Sequence, residues 1–141
     1  MEKINKNFLK DSYFITELKL CSVRLINNSR FPWIILIPKK KKITEIYELS
    51  KIDQNLLMSE IVYSSKVMKK TFVAFNLNVE KIGNIISQLH IHIISRSKND
   101  STWPLPVWIV KKKNYSINRY TKKKLKVLIA VHLFGLPCNI H

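Results

Sequence analysis

The stretch QLHIHIIS, residues 88–95, contains two histidines two positions apart within an apolar run. In a β-strand successive side chains point to opposite faces, so Gln88, His90 and His92 would share one face and the apolar residues the other. Residues i and i+2 lie about 6.6 Å apart along a strand that rises about 3.3 Å per residue. One anionic phosphoryl group could contact both imidazoles, which makes chemistry at phosphorus the first hypothesis.

Two other interpretations of the histidine pair stay open. Histidines on the outward face of an antiparallel sheet can simply be exposed to solvent. A His-x-His pair also supplies two of the three or four ligands that zinc requires. The further nitrogen and sulfur ligands, none with close ligand spacing to the pair, are His132, His141, Cys21 and Cys138. Gln88 and Asn84 flank the pair and Arg96 follows it, a dense polar cluster that favours a functional site over simple exposure, while the lack of ligands at close spacing disfavours metal.

The composition is that of a packed globular chain. The 141 residues are 46% hydrophobic and include only two glycines, which suits one domain with a single core. Cys21 and Cys138 lie far apart, so no disulfide framework is expected. The first residues lack the charged-then-apolar pattern of a secretion leader, so we expect a cytoplasmic protein. The longest apolar stretch, 127–136, is shorter than the roughly 20 residues of a membrane span, and no membrane partner is expected.

The net charge of +16 raises the question of nucleic-acid binding. Clustered basic residues attract phosphate through long-range fields and counterion release. The charge consists of 21 Lys and only 4 Arg, whereas base and phosphate recognition relies on the planar guanidinium group. The lysine runs are also dispersed along the chain. A dedicated nucleic-acid role is therefore not favoured.

The elements that would position the histidines follow from the hydrophobic pattern. β-branched and aromatic runs on both sides of the turn-forming NNSR predict a hairpin over 20–39, whose second strand ends at Pro38. Ser50 gives a capping-box-like start to a helix over about 51–71. Its apolar stripe is predicted to consist of Ile52, Leu56, Ile61, Met68 and Phe72.

The second half of the chain predicts two further strands. FVAFNLNV (72–79) and QLHIHIIS (88–95) would pair as a hairpin across the turn-forming EKIGN. Residues 100–109 carry two prolines and two tryptophans and predict an ordered loop, whose tryptophans we expect to serve packing. Residues 121–134 predict a C-terminal helix. The fold class is therefore α+β, with a mainly antiparallel sheet of about five strands in one domain, 1–141.

The pattern N-x5-N-x3-QLHIHIISR at 78–96 resembles the histidine-triad (HIT) superfamily of nucleotide hydrolases and transferases. The signature of that superfamily is three histidines that alternate with apolar residues. The resemblance extends upstream through INNSRFPWIILIPK and the 51–71 helix, and downstream through WPLPVW. It covers roughly residues 15 to 110 and leaves 111–141 as a basic C-terminal extension.

The resemblance implies a mechanism and a set of partners. His90 stands at the position of the nucleophile that forms a covalent nucleotidyl-histidine, with its other ring nitrogen held by the backbone carbonyl of Gln88. His92 would hydrogen-bond a phosphate oxygen. The implied substrates are dinucleoside polyphosphates such as diadenosine tetraphosphate, or nucleoside phosphoramidates, and magnesium can accompany the polyphosphate. The resemblance also implies a homodimer.

The chain departs from the superfamily pattern at the first triad position. Gln88 replaces a histidine, and Trp33 stands where many relatives carry another histidine that faces the first, so both departures are expected in one contact. By position, Asn27 would contact the ribose hydroxyls. Asn78 and Asn84 would contact the phosphates. These departures and the lysine excess leave one alternative open, a non-catalytic nucleotide- or RNA-binding module.

Overall fold

The computed structural model describes residues 4–114 of the chain. Its strands are β1 (Ser12–Glu17), β2 (Cys21–Ile26), β3 (Trp33–Pro38), β4 (Asn76–Glu80) and β5 (Ile91–Arg96). Its helices are α1 (Lys6–Asp11), α2 (Lys51–Thr71) and the short 3-10 helices Ile46–Glu48 and Val107–Ile109. Within the described range the strands form one antiparallel sheet in the order β1-β2-β3-β5-β4. The predicted α+β fold is confirmed, while the predicted helix over 121–134 lies outside the described residues.

The predicted hairpin over 20–39 is present. β2 and β3 pair antiparallel, from Leu25 opposite Ile34 to Cys21 opposite Pro38. Every residue of β3 is buried, which agrees with its uninterrupted apolar run. The hairpin therefore forms the central part of the sheet.

Helix α2 begins and ends where the sequence predicts. The side chain of Ser50 accepts a hydrogen bond of 3.1 Å from the backbone N–H of Asp53, which satisfies one of the free donors at the start of the helix. The predicted apolar stripe is wrong at Ile52, which is 79% exposed. The residues that α2 buries are Leu57, Glu60, Ser64 and Met68.

Glu60 explains why the apolar pattern alone misplaced the buried face of α2. Its carboxylate accepts hydrogen bonds from the backbone N–H groups of Leu20, at 2.7 Å, and Cys21, at 2.9 Å. These donors are the residue before β2 and the first residue of β2. A buried carboxylate with such partners compensates part of its desolvation, so a charged residue can occupy the helix face that packs on the sheet.

The β4-β5 hairpin is confirmed, but both of its strands begin later than predicted. The residues after α2 first end the helix, with the N–H of Phe72 bonded to the carbonyl of Met68. Val73 then has a positive φ of 48°, which turns the chain before β4. The predicted strand over 72–79 is therefore displaced to Asn76–Glu80.

Helix α1 and strand β1 were not predicted. α1 has only six residues and depends on a cap, in which the side chain of Asn5 accepts from the N–H of Asn7. β1 does carry an alternating signal, since Tyr13 and Ile15 both pack against the core. A bulge between Phe14 and Thr16 interrupts its pairing with β2.

The two faces of the sheet bury separate apolar clusters. Leu89, Ile91 and Ile93 point toward α2, as the alternation of β5 predicts. If the histidines were simply exposed to solvent, the opposite face would be open. It is instead covered by a second cluster, composed of Phe8, Phe31, Trp33, Ile35, Ile37, Ile94 and Val107. The histidines therefore lie beneath α1 and the loop after β5.

A buried guanidinium orders the loop that follows β5. Arg96 is only 2% exposed and donates to both carboxylate oxygens of Asp100, at 2.8 and 3.1 Å. It also donates to the side chains of Asn78 and Thr102 and to the backbone carbonyl of Leu105. A buried charge is tolerated only when paired and hydrogen-bonded in this way. Arg96 therefore ties β4 and the loop together.

Replacing Arg96 with methionine should lower the free energy of unfolding by about 3–5 kcal/mol, because Asp100 would remain as a buried carboxylate without its cation. Burial raises the pKa of the Asp100 carboxyl, but its hydrogen bonds outweigh this effect. The bond from Arg96 contributes most among them, and the pKa falls to about 2. Urea unfolding at pH 7 measures the loss. The matched control is Lys40→Met, which removes the exposed ion pair of Lys40 with Asp53 and should cost about 0–1 kcal/mol. Equal losses in the two variants would contradict the prediction.

Candidate active site

A cavity of about 380 Å³ lies on the sheet face opposite α2. Its volume falls in the range of about 300–1,000 Å³ that is usual for small-molecule sites. The rings of His90 and His92 both line it. Its apolar wall is formed by Phe8, Ile26, Ile82, Ile85, Ile86, Val107 and Val110. The two histidines predicted to act together are thus brought together beside a cavity of suitable size.

His90 is held by the main chain just before β5. Its Nδ1 lies 2.7 Å from the backbone carbonyl oxygen of Gln88. Because a carbonyl only accepts, Nδ1 carries the proton and Nε2 keeps its lone pair. Burial lowers the pKa of His90, the Gln88 carbonyl opposes this effect, and the charge of Lys81 adds to it. The ring is therefore neutral and nucleophilic at neutral pH.

His92 has the opposite proton arrangement. Its Nδ1 accepts a hydrogen bond of 3.0 Å from the indole Nε1 of Trp33. An indole N–H only donates, so the neutral His92 ring carries its own proton on Nε2. Burial, and then the neighbouring His90, lower the pKa of His92 to about 3. The ring is therefore a neutral hydrogen-bond donor at neutral pH.

The two imidazoles are close neighbours with complementary hydrogen-bonding groups. Their centroids are 4.6 Å apart, with an angle of 81° between the ring planes. Each is nearly buried, with 5% of His90 and 6% of His92 exposed. One ring offers a lone pair and the other an N–H group, which is the combination needed to attack an electrophilic centre and to bind an oxygen on it.

Trp33 and Gln88 have separate partners and do not form the single contact that the sequence predicted. The register of the sheet explains the difference, since it pairs Trp33 with Ile94. A large side chain at this point reaches its diagonal neighbour His92 on the same face. The side chain of Gln88 instead accepts a hydrogen bond of 2.9 Å from the N–H of Asn5.

Trp108 closes the aromatic group around His92. Its ring centroid lies 5.0 Å from that of His92 and 4.7 Å from that of Trp33, both in edge-to-face geometry. Its Nε1 donates to the carboxylate of Glu80 at 2.6 Å, which connects the loop to β4. Trp108 lines the cavity and is 43% exposed, whereas Trp103 packs against Phe75. The packing role expected for both tryptophans thus describes Trp103 better.

Helix α1 contributes a residue that the sequence did not indicate. The ring of Phe8 lies edge-on to His90, with centroids 4.7 Å apart. Gln88 anchors the start of this helix through its bond to Asn5. Since α1 was not predicted, no sequence signal pointed to Phe8. Its place over His90 is a product of the tertiary structure.

The amide that lines the cavity from the β2-β3 hairpin is Asn28. Asn28 is buried, and its side chain also accepts from the N–H of Arg30, a local bond typical of turns. Asn27, which the sequence predicted as the ribose contact, is half-buried, and its backbone N–H bonds to the carbonyl of Asp11. Asn27 does not line this cavity.

Asn78 and Asn84 also lie away from the cavity of the histidines. The side-chain oxygen of Asn78 accepts from Arg96 at 2.6 Å. Asn84 is exposed and lines a separate cavity of about 250 Å³, beside Lys81 and Ser87. Phosphate contacts by these two amides stay predictions.

Charged groups are sparse around the histidines. Asp11 and Lys112 line the cavity and form an ion pair of 3.1 Å. Among residues 4–114, no group of three or more His, Cys, Asp or Glu side chains could hold a metal ion. The same part of the chain contains no helix with the length and apolar character that a membrane crossing requires.

The low pKa of His92 should make stability depend on pH. The unfolded histidine binds a proton near pH 6.5, whereas the folded ring does so only near pH 3. The unfolded state therefore takes up protons as the pH falls below about 6.5, and the folded state loses stability. Replacing His92 with asparagine removes this effect, so the loss of unfolding free energy between pH 7 and pH 5 should shrink by up to about 2 kcal/mol. Urea unfolding at the two pH values tests this, and an unchanged loss would contradict it.

Comparisons with known proteins identify the family. The HIT domain model matches residues 7–99. A histidine triad protein from Marinobacter aquaeolei VT8 superposes with a TM-score of 0.88 at 32% identity, over 96% of this chain and 98% of that chain. One from Sinorhizobium meliloti 1021 has a TM-score of 0.87 at 33% identity, over 93% and 96% of the two chains. One from Bradyrhizobium japonicum has a TM-score of 0.87 at 28% identity, over 94% and 98%.

Among curated proteins, none matches this sequence. The HIT domain nevertheless spans more than half of the chain, and two of the solved structures named above exceed 30% identity over nearly their whole length. The chain therefore belongs to the HIT family.

Proposed function

We propose that this protein is a nucleotide hydrolase or nucleotidyl transferase that acts through a covalent nucleotidyl-His90 intermediate. The observation that supports this most directly is the hydrogen bond of 2.7 Å between His90 Nδ1 and the Gln88 carbonyl. It leaves the Nε2 lone pair as the nucleophile of a ring that lines the cavity. The proposed substrates are dinucleoside polyphosphates, such as diadenosine tetraphosphate, or nucleoside phosphoramidates.

The first step forms a bond between Nε2 of His90 and the phosphorus next to a nucleoside. The bond from phosphorus to the leaving group breaks, and the leaving group departs with the electron pair. The imidazole becomes positively charged, and its Nδ1–H group then donates more strongly to the Gln88 carbonyl. This main-chain acceptor stabilises the intermediate without any charged side chain.

The second step transfers the nucleotidyl group to water or to another acceptor. The acceptor oxygen forms a bond to phosphorus, and the bond to Nε2 breaks. The electron pair returns to Nε2, and the acceptor loses its proton to solvent or to the departed leaving group. Splitting one substitution into two lowers each barrier. His92 Nε2–H is proposed to donate to a phosphate oxygen in both steps.

The cavity suggests how the nucleoside is bound. Its apolar wall suits a base, and Asn28 offers a buried amide beside Ile26. We therefore add Asn28 to Asn27 as a candidate for the ribose contact. Asn78 and Asn84 stay candidates for phosphate binding, which would require the substrate to extend beyond the cavity toward Lys81.

Gln88 is proposed to stand at the first triad position and to act through its backbone. Its carbonyl holds His90, whereas its side chain contacts Asn5 in the segment that begins α1. A backbone acceptor persists whatever side chain is present. The absence of a histidine at this position is therefore compatible with nucleophilic catalysis by His90.

The cytoplasmic localisation, the homodimer and the association of magnesium with a polyphosphate substrate stay predictions. They come from the composition and from the resemblance to the superfamily. None of them is needed for the covalent step, which uses only residues of one chain. The non-catalytic module is the alternative that the first test below distinguishes.

Replacing His90 with alanine should reduce turnover by about 10⁴-fold or more, because the nucleophile is lost, while nucleotide binding stays measurable. Product chromatography with diadenosine tetraphosphate and a nucleoside phosphoramidate measures turnover. Mass mapping of native protein denatured during turnover should locate a nucleotidyl group on His90. Turnover at the native rate by the alanine variant would overturn the mechanism. Salt-sensitive RNA binding by native protein without any product would favour the binding module.

Replacing Gln88 with alanine should leave kcat within about 3-fold of the native value, because the carbonyl that holds His90 remains. The lost bond to Asn5 should lower the unfolding free energy by about 0.5–1.5 kcal/mol. Steady-state kinetics and urea unfolding provide the two readouts, with His90→Ala as the inactive reference. A loss of kcat beyond about 100-fold would assign the catalytic role to the side chain instead.

A further inference from the structure

Trp33 makes the only hydrogen bond to the Nδ1 of His92 within the described residues. A neutral histidine has two tautomers, and the partner of one ring nitrogen decides which is present. The indole N–H of Trp33 is a donor that cannot reverse its direction. A proton on His92 Nδ1 would oppose this N–H, donor against donor, in a site where both groups are buried.

We propose that Trp33 is a positioning residue that holds His92 as the Nε2–H tautomer, so that this ring donates to the phosphoryl oxygens of the substrate. The proposal rests on the proposed function for its catalytic consequence. It assigns to Trp33 a role that depends on its N–H group rather than on its bulk. Phenylalanine at this position would keep most of the packing and lose the effect.

Trp33 is itself fixed from two sides, which makes the orientation of its N–H group a stable feature. Its backbone is paired with β5 opposite Ile94. Its ring lies edge-to-face against Trp108, whose own indole donates to Glu80. Rings that are locked by packing and by a second layer of hydrogen bonds hold reactive groups within narrow limits.

Among residues 4–114, no hydrogen-bond acceptor is recorded for a proton on Nδ1 of His92. The neighbouring titratable groups are His90, which precedes it on the same face, and Glu80, its partner on β4. The Glu80 carboxylate accepts from Trp108. The pKa of His92 of about 3 agrees with this, since burial and His90 disfavour a second proton on the ring.

The direct test is nitrogen NMR of the native protein at pH 7. The proposal predicts a protonated Nε2 and an unprotonated, hydrogen-bonded Nδ1 on His92, with a scalar coupling across the bond from Trp33 Nε1. A protonated Nδ1 on His92 would overturn it. This measurement needs neither a substrate nor a variant, so its result is separate from the success of the proposed function.

The variant test compares Trp33→Phe with Trp108→Phe. Both changes remove one indole N–H beside His92, but only the first removes a bond to it. We expect Trp33→Phe to yield mixed His92 tautomers and to lower kcat by about 10- to 100-fold with little change in KM. Trp108→Phe should keep the single tautomer and lose less kcat. A single Nε2–H tautomer in Trp33→Phe, or an equal loss of kcat in both variants, would overturn the proposal.

Discussion

The hydrogen bond from His90 Nδ1 to the Gln88 carbonyl is the interaction on which the candidate chemistry depends. It requires the backbone over 88–90 to be held in place just before β5. Leu89 provides this, since its side chain is buried toward α2 and its N–H donates to the carbonyl of Ile43 at 2.9 Å. Because Leu89 is anchored on one side of the sheet, the carbonyl of Gln88 and the imidazole of His90 are held in position.

Burial gives both histidines their chemical character. α1 and the loop after β5 cover the sheet face that would otherwise be open, so both rings lose most of their contact with water. Loss of solvation disfavours the charged form of an imidazole, and hydrogen bonds in such surroundings are stronger than in water. His90 and His92 are therefore neutral, and each has its tautomer determined by one partner. The carbonyl only accepts and the indole N–H only donates, so the two rings carry their protons on different nitrogens.

The Arg96 cluster and the aromatic group around His92 connect the loop to the site. Arg96 fixes the loop through Asp100, Thr102 and Leu105, and the chain then reaches Trp108 beside His92. The Arg96 guanidinium is buried, and its hydrogen bonds reach β4 and the loop that follows β5. The ion pair of Arg96 and Asp100 holds the loop in place, while the two neutral histidines line the cavity.

The sequence by itself determined the alternation of β5, the central hairpin, the limits of α2 and the common face of His90 and His92, because these follow from local periodicity, caps and turn residues. Only the tertiary structure decided that Trp33 contacts His92, that Asn28 rather than Asn27 lines the cavity, and that α1 brings Phe8 over His90. These outcomes depend on strand register and on the packing of segments distant in sequence, which alternation within one strand does not encode. The burial of Glu60 on the sheet-facing side of α2 has the same origin, since its partners are the backbone N–H groups of Leu20 and Cys21.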